Sequence, residues 1–140
     1  MKPSARRFPP SLRCAIASRL TEVDSLCRSI RMRLQEAGLT AECFAVELLA
    51  RESLNNAVTH GNRGHADKAV RLELRVGRKW IRLQVSDEGP GFNWRKARHR
   101  RCELESESGR GMALFAHYAE QVRFNRCGSQ ITLWLRRNRR

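Results

Sequence analysis

The spacing of apolar residues changes along this chain, and each change predicts a different element. Val23, Leu26, Ile30 and Leu34 recur at steps of three and four, the stripe of an amphipathic helix that ends at Gly38. Ser18 or Thr21 offers a hydroxyl to cap its start. Thr40 is expected to cap a second helix, with Glu42 and Glu47 early in it, running to about His60 before Gly61-Asn62 breaks it. The period then falls to two: Val70, Leu72, Leu74 and Val76 alternate with polar residues, as do Ile81, Leu83 and Val85 after a turn at Gly77-Arg78-Lys79. Leu12–Ala17, following Pro9-Pro10, reads as a short edge strand. Gly109-Arg110-Gly111 opens a short helix from Met112 to about Ala119, and a final hairpin pairs Val122–Phe124 with Ile131–Leu135 across Cys127-Gly128-Ser129.

The predicted order is β-α-α-β-β-loop-α-β-β. Strands joined by short turns pair antiparallel, and helices must cover the apolar face they leave. The fold class is therefore α+β, a two-layer α/β sandwich whose mixed, mostly antiparallel sheet is covered on one face by helices. Residues 1–10 read as a flexible basic N-terminus, 11–136 as one domain and 137–140 as a basic tail. Residues 92–108 lack apolar periodicity and read as a long loop, and loops of that length tend to be functional or disordered.

Composition narrows the class. No apolar run reaches the roughly 20 residues that span a bilayer, and no apolar stretch follows the basic start MKPSARR, so a cytoplasmic protein is expected. Five cysteines without a C-x-x-C pair read as free thiols in a reducing compartment. The net charge of +14 invites a nucleic-acid reading. Against it, 24 of the 28 basic residues are arginines spread over the whole chain, and aromatics are only 6%. An acidic partner, a protein face or a nucleotide's phosphates, is the sharper reading of that charge.

Three short constellations carry candidate chemistry. Glu52, Asn56 and His60 stand at steps of four on the second helix, one polar stripe continuing an apolar one. On its own this is equally a solvent-exposed face. Asp87 follows Ile81, Leu83 and Val85 in phase, so its carboxylate points inward where the strand ends and needs a partner such as a nucleobase amino group. The surrounding Asp87-Glu-Gly89-Pro-Gly91-Phe92 is also ordinary turn chemistry. Gly109-Arg110-Gly111-Met112 opens a helix, where backbone N–H groups attract phosphate. It lacks the G-K-[ST] of a P-loop and a parallel βαβ unit around it.

In this order and spacing, Glu52-Ser-Leu-Asn-Asn56-Ala-Val-Thr-His60-Gly61, Asp87-Glu-Gly89-Pro-Gly91-Phe92 and Gly109-Arg-Gly111-Met-Ala-Leu resemble the N, G1 and G2 boxes of the ATPase superfamily of gyrase, histidine kinases and mismatch-repair proteins. The likeness is closest to its smallest members, the anti-sigma factor serine kinases, and covers roughly residues 12–136. The resemblance implies ATP and Mg²⁺ as cofactors. It makes Asn56 the Mg²⁺ ligand and Glu52 the general base that takes the proton of an attacking serine. Asp87 would read the adenine amino group, Gly89 and Gly91 would line base and ribose, and Gly109 and Gly111 would cradle phosphate beneath a lid of residues 92–108. Phe92, Arg110 and Met112 are counted with them as nucleotide-binding residues.

The resemblance further implies a kinase that sequesters a sigma factor and phosphorylates a serine of an anti-anti-sigma antagonist. It implies a homodimer whose contacts lie on the first strand and helix, with no membrane and no direct nucleic-acid partner. Two positions depart from the pattern. Relatives often carry an arginine shortly before the G2 glycines, where Ser106-Glu107-Ser108 stands here, leaving the γ-phosphate to Arg110 or Arg101; and Asn55 precedes Asn56 where threonine is common. The first departure keeps open an ATP-binding anti-sigma module without kinase activity. A nucleic-acid-binding protein is the less favoured third reading, and a histidine kinase fragment is disfavoured because no helix with a phosphoacceptor histidine precedes the domain.

Overall fold

The computed structural model describes residues 11–93 and 107–137. The expected N-terminal segment, most of the lid (including Arg101) and the last three residues of the tail lie outside them. Five strands form one sheet in the order β1-β2-β3-β5-β4. They are β1 (Leu12–Ala17), β2 (Ala69–Val76), β3 (Trp80–Ser86), β4 (Gln121–Phe124) and β5 (Gln130–Arg136). Every neighbouring pair is antiparallel, so the sheet is not mixed. Two local hairpins, β2–β3 and β4–β5, account for part of this; β2 returns after the first two helices to lie antiparallel on β1, and β5 of the second hairpin lies antiparallel on β3.

The register turns the period-two pattern into a core. Cys14, Leu72, Val85 and Ile131 lie in one cross-strand row, and Leu74, Leu83, Leu133 and Val122 in the next. These rows face α1 (Leu20–Glu36), α2 (Thr40–Asn56) and α3 (Glu107–Tyr118). Ile30, Leu34, Leu49, Leu54, Leu72, Leu83 and Leu133 are among the fully buried side chains between the layers. Each contributes about 1.5–3 kcal/mol of burial, and this packing holds α2 in place over β3.

The helix ends follow a different logic from the one predicted at two places. Leu39, not Thr40, occupies the N-cap of α2, and Arg19 that of α1, neither with a side-chain cap. Ser18 is unavailable as a cap because its hydroxyl donates to the Lys68 carbonyl at 2.7 Å and accepts from Asn62 at 2.9 Å. Glu22 reaches back instead, its carboxylate accepting the Ala17 N–H at 3.1 Å. Gly38 does end α1 as expected: at φ +78° it donates to Gln35, while the next residue, buried Leu39, donates to Leu34. The third helix begins at Glu107, ahead of its glycines rather than after them.

Candidate functional site

The α-helical winding of α2 stops at Asn56, and Ala57–Gly61 continue as a single π-helical turn. The Asn62 N–H reaches the Ala57 carbonyl at 2.8 Å, a five-residue step that widens the turn. This is where the predicted helix end and its functional stripe coincide. Asn56, His60 and Gly61 line one wall of a cleft of about 220 Å³. Val85 and Asp87 at the end of β3 form its floor, and Gly91 and Phe92 one rim. The β4–β5 turn supplies Gly128 and Ser129, and Met112 and Phe115 of α3 close the far side.

Of the ten residues singled out from sequence, the cleft thus brings together Asn56, Asp87, Gly91, Phe92 and Met112. Glu52 lies one turn before Asn56, half-buried and not among the residues that line the cleft. Gly89 is set back beneath the rim. The backbone of Gly109, Arg110 and Gly111 lies in the first turns of α3; their contacts lie outside what is described.

Asp87 is fixed from several directions. Its N–H donates to the Ser129 carbonyl at 2.9 Å, tying the end of β3 to the β4–β5 turn. Its Oδ1 accepts from the Gly89 N–H at 2.8 Å. Burial is the leading influence on its carboxyl and raises its pKa above 3.8, opposed by the Gly89 N–H and by the charge of Lys68. A half-buried carboxylate with an accepting oxygen in a largely apolar cleft suits a neutral donor such as an amino group on a flat ring.

The glycines around it are dictated by contact. A Cβ on Gly61 would lie 2.2 Å from Asp87 Oδ2, and one on Gly89 would lie 2.0 Å from the Gly61 carbonyl oxygen. The π turn and the DEGPG turn are therefore interlocked backbone to backbone. The role of Gly61 was read from sequence only as a helix breaker; its closeness to Asp87 had no local signal.

Asn62 has a role that sequence reasoning, which gives it only the end of the second helix, does not find. It is fully buried. Its Nδ2 donates to Ser18 Oγ and to the Ala69 carbonyl, each at 2.9 Å, and its Oδ1 accepts from the Glu88 N–H at 2.8 Å. One amide thus joins the start of α1, the start of β2 and the turn that carries Asp87. Glu88 completes the tie by accepting the Ala69 N–H at 2.8 Å. Replacing Asn62 by alanine is expected to cost about 3 kcal/mol, since buried groups are left unpaired at roughly 1–3 kcal/mol each. Urea unfolding measures it, and a loss below about 1 kcal/mol would remove the network from the account.

Among the described residues no group of three or more His, Cys, Asp or Glu side chains is placed to hold a metal ion. A hard cation that takes one amide oxygen and completes its shell from phosphates and water fits such a donor set, and Asn56 on the cleft wall could supply one such oxygen.

The chain matches the histidine kinase-like ATPase domain over residues 16–137. It is 29% identical over 86 residues to the anti-sigma F factors of Bacillus thuringiensis (strain Al Hakam), Bacillus mycoides (strain KBAB4) and Bacillus cereus (strain AH187). Each match covers 58% of this chain and 58% of the relative, so less than two thirds of those proteins is spanned.

Proposed function

The chain belongs to the histidine kinase-like ATPase domain family, and from that premise we propose that it is an anti-sigma factor with serine kinase activity. In this reading it binds a sigma factor and uses Mg-ATP to phosphorylate a serine of an anti-anti-sigma antagonist, as a cytoplasmic homodimer in a partner-switching system. The observation that carries the reading is the meeting of Asn56, Asp87, Gly91, Phe92 and Met112, from three distant segments, in one cleft. The likeness to anti-sigma F factors supports the sigma-binding half of it. No helix of the described residues is long and apolar enough to cross a membrane.

Each residue has a task. Asp87 accepts the adenine amino proton, while Gly89 and Gly91 let the backbone approach base and ribose. Phe92, packed edge-on against Phe124 with centroids 5.3 Å apart, is a wall for the ring. Asn56 would hold Mg²⁺, which would neutralise charge on the phosphates when bound. Gly109 and Gly111, in the first turns of α3, would let phosphate approach the start of that helix. Glu52 takes the proton from the serine Oγ as that oxygen bonds to the γ-phosphorus and the bond to the β-phosphate oxygen breaks, releasing ADP. Arg110 or Arg101 meets the γ-phosphate in place of the arginine missing from 106–108.

Incubation with Mg²⁺, γ-labelled ATP and candidate antagonists tests the reading: label is expected on a serine. ATP binding with no transfer to any candidate would favour a binding module without kinase activity, which the Ser106-Glu107-Ser108 departure also favours.

Titration gives a second check. The adenine contact requires ionised Asp87, whose pKa is raised by burial. Acidification therefore removes affinity as pH falls through a value above 3.8. For the ligand-free protein the sign is opposite: the raised pKa contributes stability that is full below 3.8 and lost as pH rises through the folded value. Asp87→Asn is expected to weaken ATP roughly 10- to 100-fold at neutral pH and to abolish that acid limb. Calorimetric titration across pH measures both, and unchanged affinity in the variant would mean that the pocket assignment is wrong.

A further inference from the structure

The arginines that look dispersed along the sequence are sorted by the fold. Every basic residue of the strands points away from the helices: Arg13, Arg71, Arg75, Arg82, Arg123 and Arg136 share the outer sheet face, where Glu73 is the single acidic strand residue and Glu88 of the next turn lies 3.6 Å from Arg71. The layer on the other side is balanced the opposite way. Helices α1 and α2 carry six carboxylates (Glu22, Asp24, Glu36, Glu42, Glu47, Glu52) against four arginines (Arg28, Arg31, Arg33, Arg51). Among the described strands and helices, the excess of positive charge thus falls on one broad sheet face.

Glu73 does little to cancel it. Arg13 bonds it at 2.7 Å, Arg75 lies at 3.5 Å and Arg82 completes the cluster, so one carboxylate is shared by three guanidiniums. Arg75 and Arg82 are direct cross-strand partners, a like-charge pairing that costs the isolated sheet. At the other end the guanidinium of Arg136 lies 5.1 Å over the Trp80 ring, and that of Arg123 lies 5.8 Å over Trp134. Stacking of this kind orders the cations before anything binds, lowering the entropy cost of pairing them.

We propose that the outer face of the sheet is a docking surface for an acidic segment of a partner protein, which pairs its carboxylates with this arginine array. A second copy of the chain is disfavoured, because a symmetric contact would place six further arginines against these six. Nucleic acid is disfavoured because the two rings of this face, Trp80 and Trp134, already stack with arginine guanidiniums that a base would have to displace. The proposal stands whether or not the cleft transfers phosphate.

The test uses the full chain and a labelled poly-glutamate of about 20 residues, with a random DNA duplex of matched charge as competitor. Neutralising Arg75, Arg123 and Arg136 together to Gln is expected to weaken poly-glutamate binding roughly tenfold. Arg19, Arg28 and Arg33 to Gln, the same charge removed from the helix layer, changes it by less than about twofold, and the Arg75/Arg123/Arg136 to Lys triple retains most of the binding. If the Gln triple is destabilised, Arg123→Gln and Arg136→Gln singly should each show a loss of about two- to threefold. Equal losses in the sheet and helix triples would overturn the proposal. So would tighter binding of the duplex through the same arginines, or a wild-type dimer that the sheet triple dissociates.

Discussion

Glu52→Ala is expected to slow phosphoryl transfer to serine by about 10²–10⁴-fold while leaving Mg-ATP affinity within about threefold. The expectation comes from where the carboxylate sits. Asn56 faces the cleft and Glu52 lies one helical turn behind it, half-buried and off the lining of the nucleotide space. A group off the cleft lining contributes little to holding ATP, whereas in the proposed reading its carboxylate is the base for the attacking serine. Glu52→Gln keeps the shape and removes the base, so the two variants should lose rate alike. Single-turnover transfer from labelled ATP reads the rate, and calorimetry reads the affinity. An affinity loss as large as the rate loss would make Glu52 a binding residue and leave the proton without an acceptor.

Gly91→Ala is expected to destabilise the protein by about 3 kcal/mol and to weaken ATP by more than about tenfold. At φ +83° an L-residue is strained, and a Cβ there would lie 1.9 Å from the Cys127 carbonyl oxygen, a backbone atom that cannot rotate aside. That same carbonyl accepts the Phe92 N–H at 2.9 Å, so relief of the clash pulls the rim of the cleft from the β4–β5 turn. Gly38 is the internal control. Its φ is +78° but nothing lies within 4 Å of an added Cβ, so Gly38→Ala carries the backbone strain alone. It should cost about 1 kcal/mol with no effect on ATP. Denaturant midpoints and ATP titrations of the pair separate contact from strain; equal effects in both would show that the rim contact does not matter.

The strands were legible because a half-buried strand repeats every two residues, and Val70–Val76 and Ile81–Val85 keep that repeat cleanly. Asp87 was legible for the same reason, being the next inward position after Val85. The helix caps were not. Ser18 has the right chemistry for a cap, but Lys68 and Asn62, some 50 and 44 positions away, claim its hydroxyl first. Asn62 itself reads as a helix breaker, since its partners come from three separate segments and leave no local spacing to detect. The π turn has no pattern of its own, and the face on which each arginine falls depends on strand register. Motif order located the cleft; the contacts that make it rigid are long-range and belong to the folded chain.

The order of strands in the sheet also bears on when the cleft comes into being. β2–β3 and β4–β5 are neighbours in sequence, whereas joining β3 to β5 closes a span of 44 residues between Ser86 and Gln130. Contacts that distant form slowly relative to local ones, so the two hairpins are expected to precede their union. Asp87 sits on one side of that seam and the Ser129 carbonyl that anchors it on the other. A chain whose hairpins have not yet met lacks the cleft that a nucleotide would enter. Nucleotide then acts on the finished fold alone, and its full binding energy is added to the native state by mass action, making nucleotide supply itself a determinant of how long the protein survives in the cell.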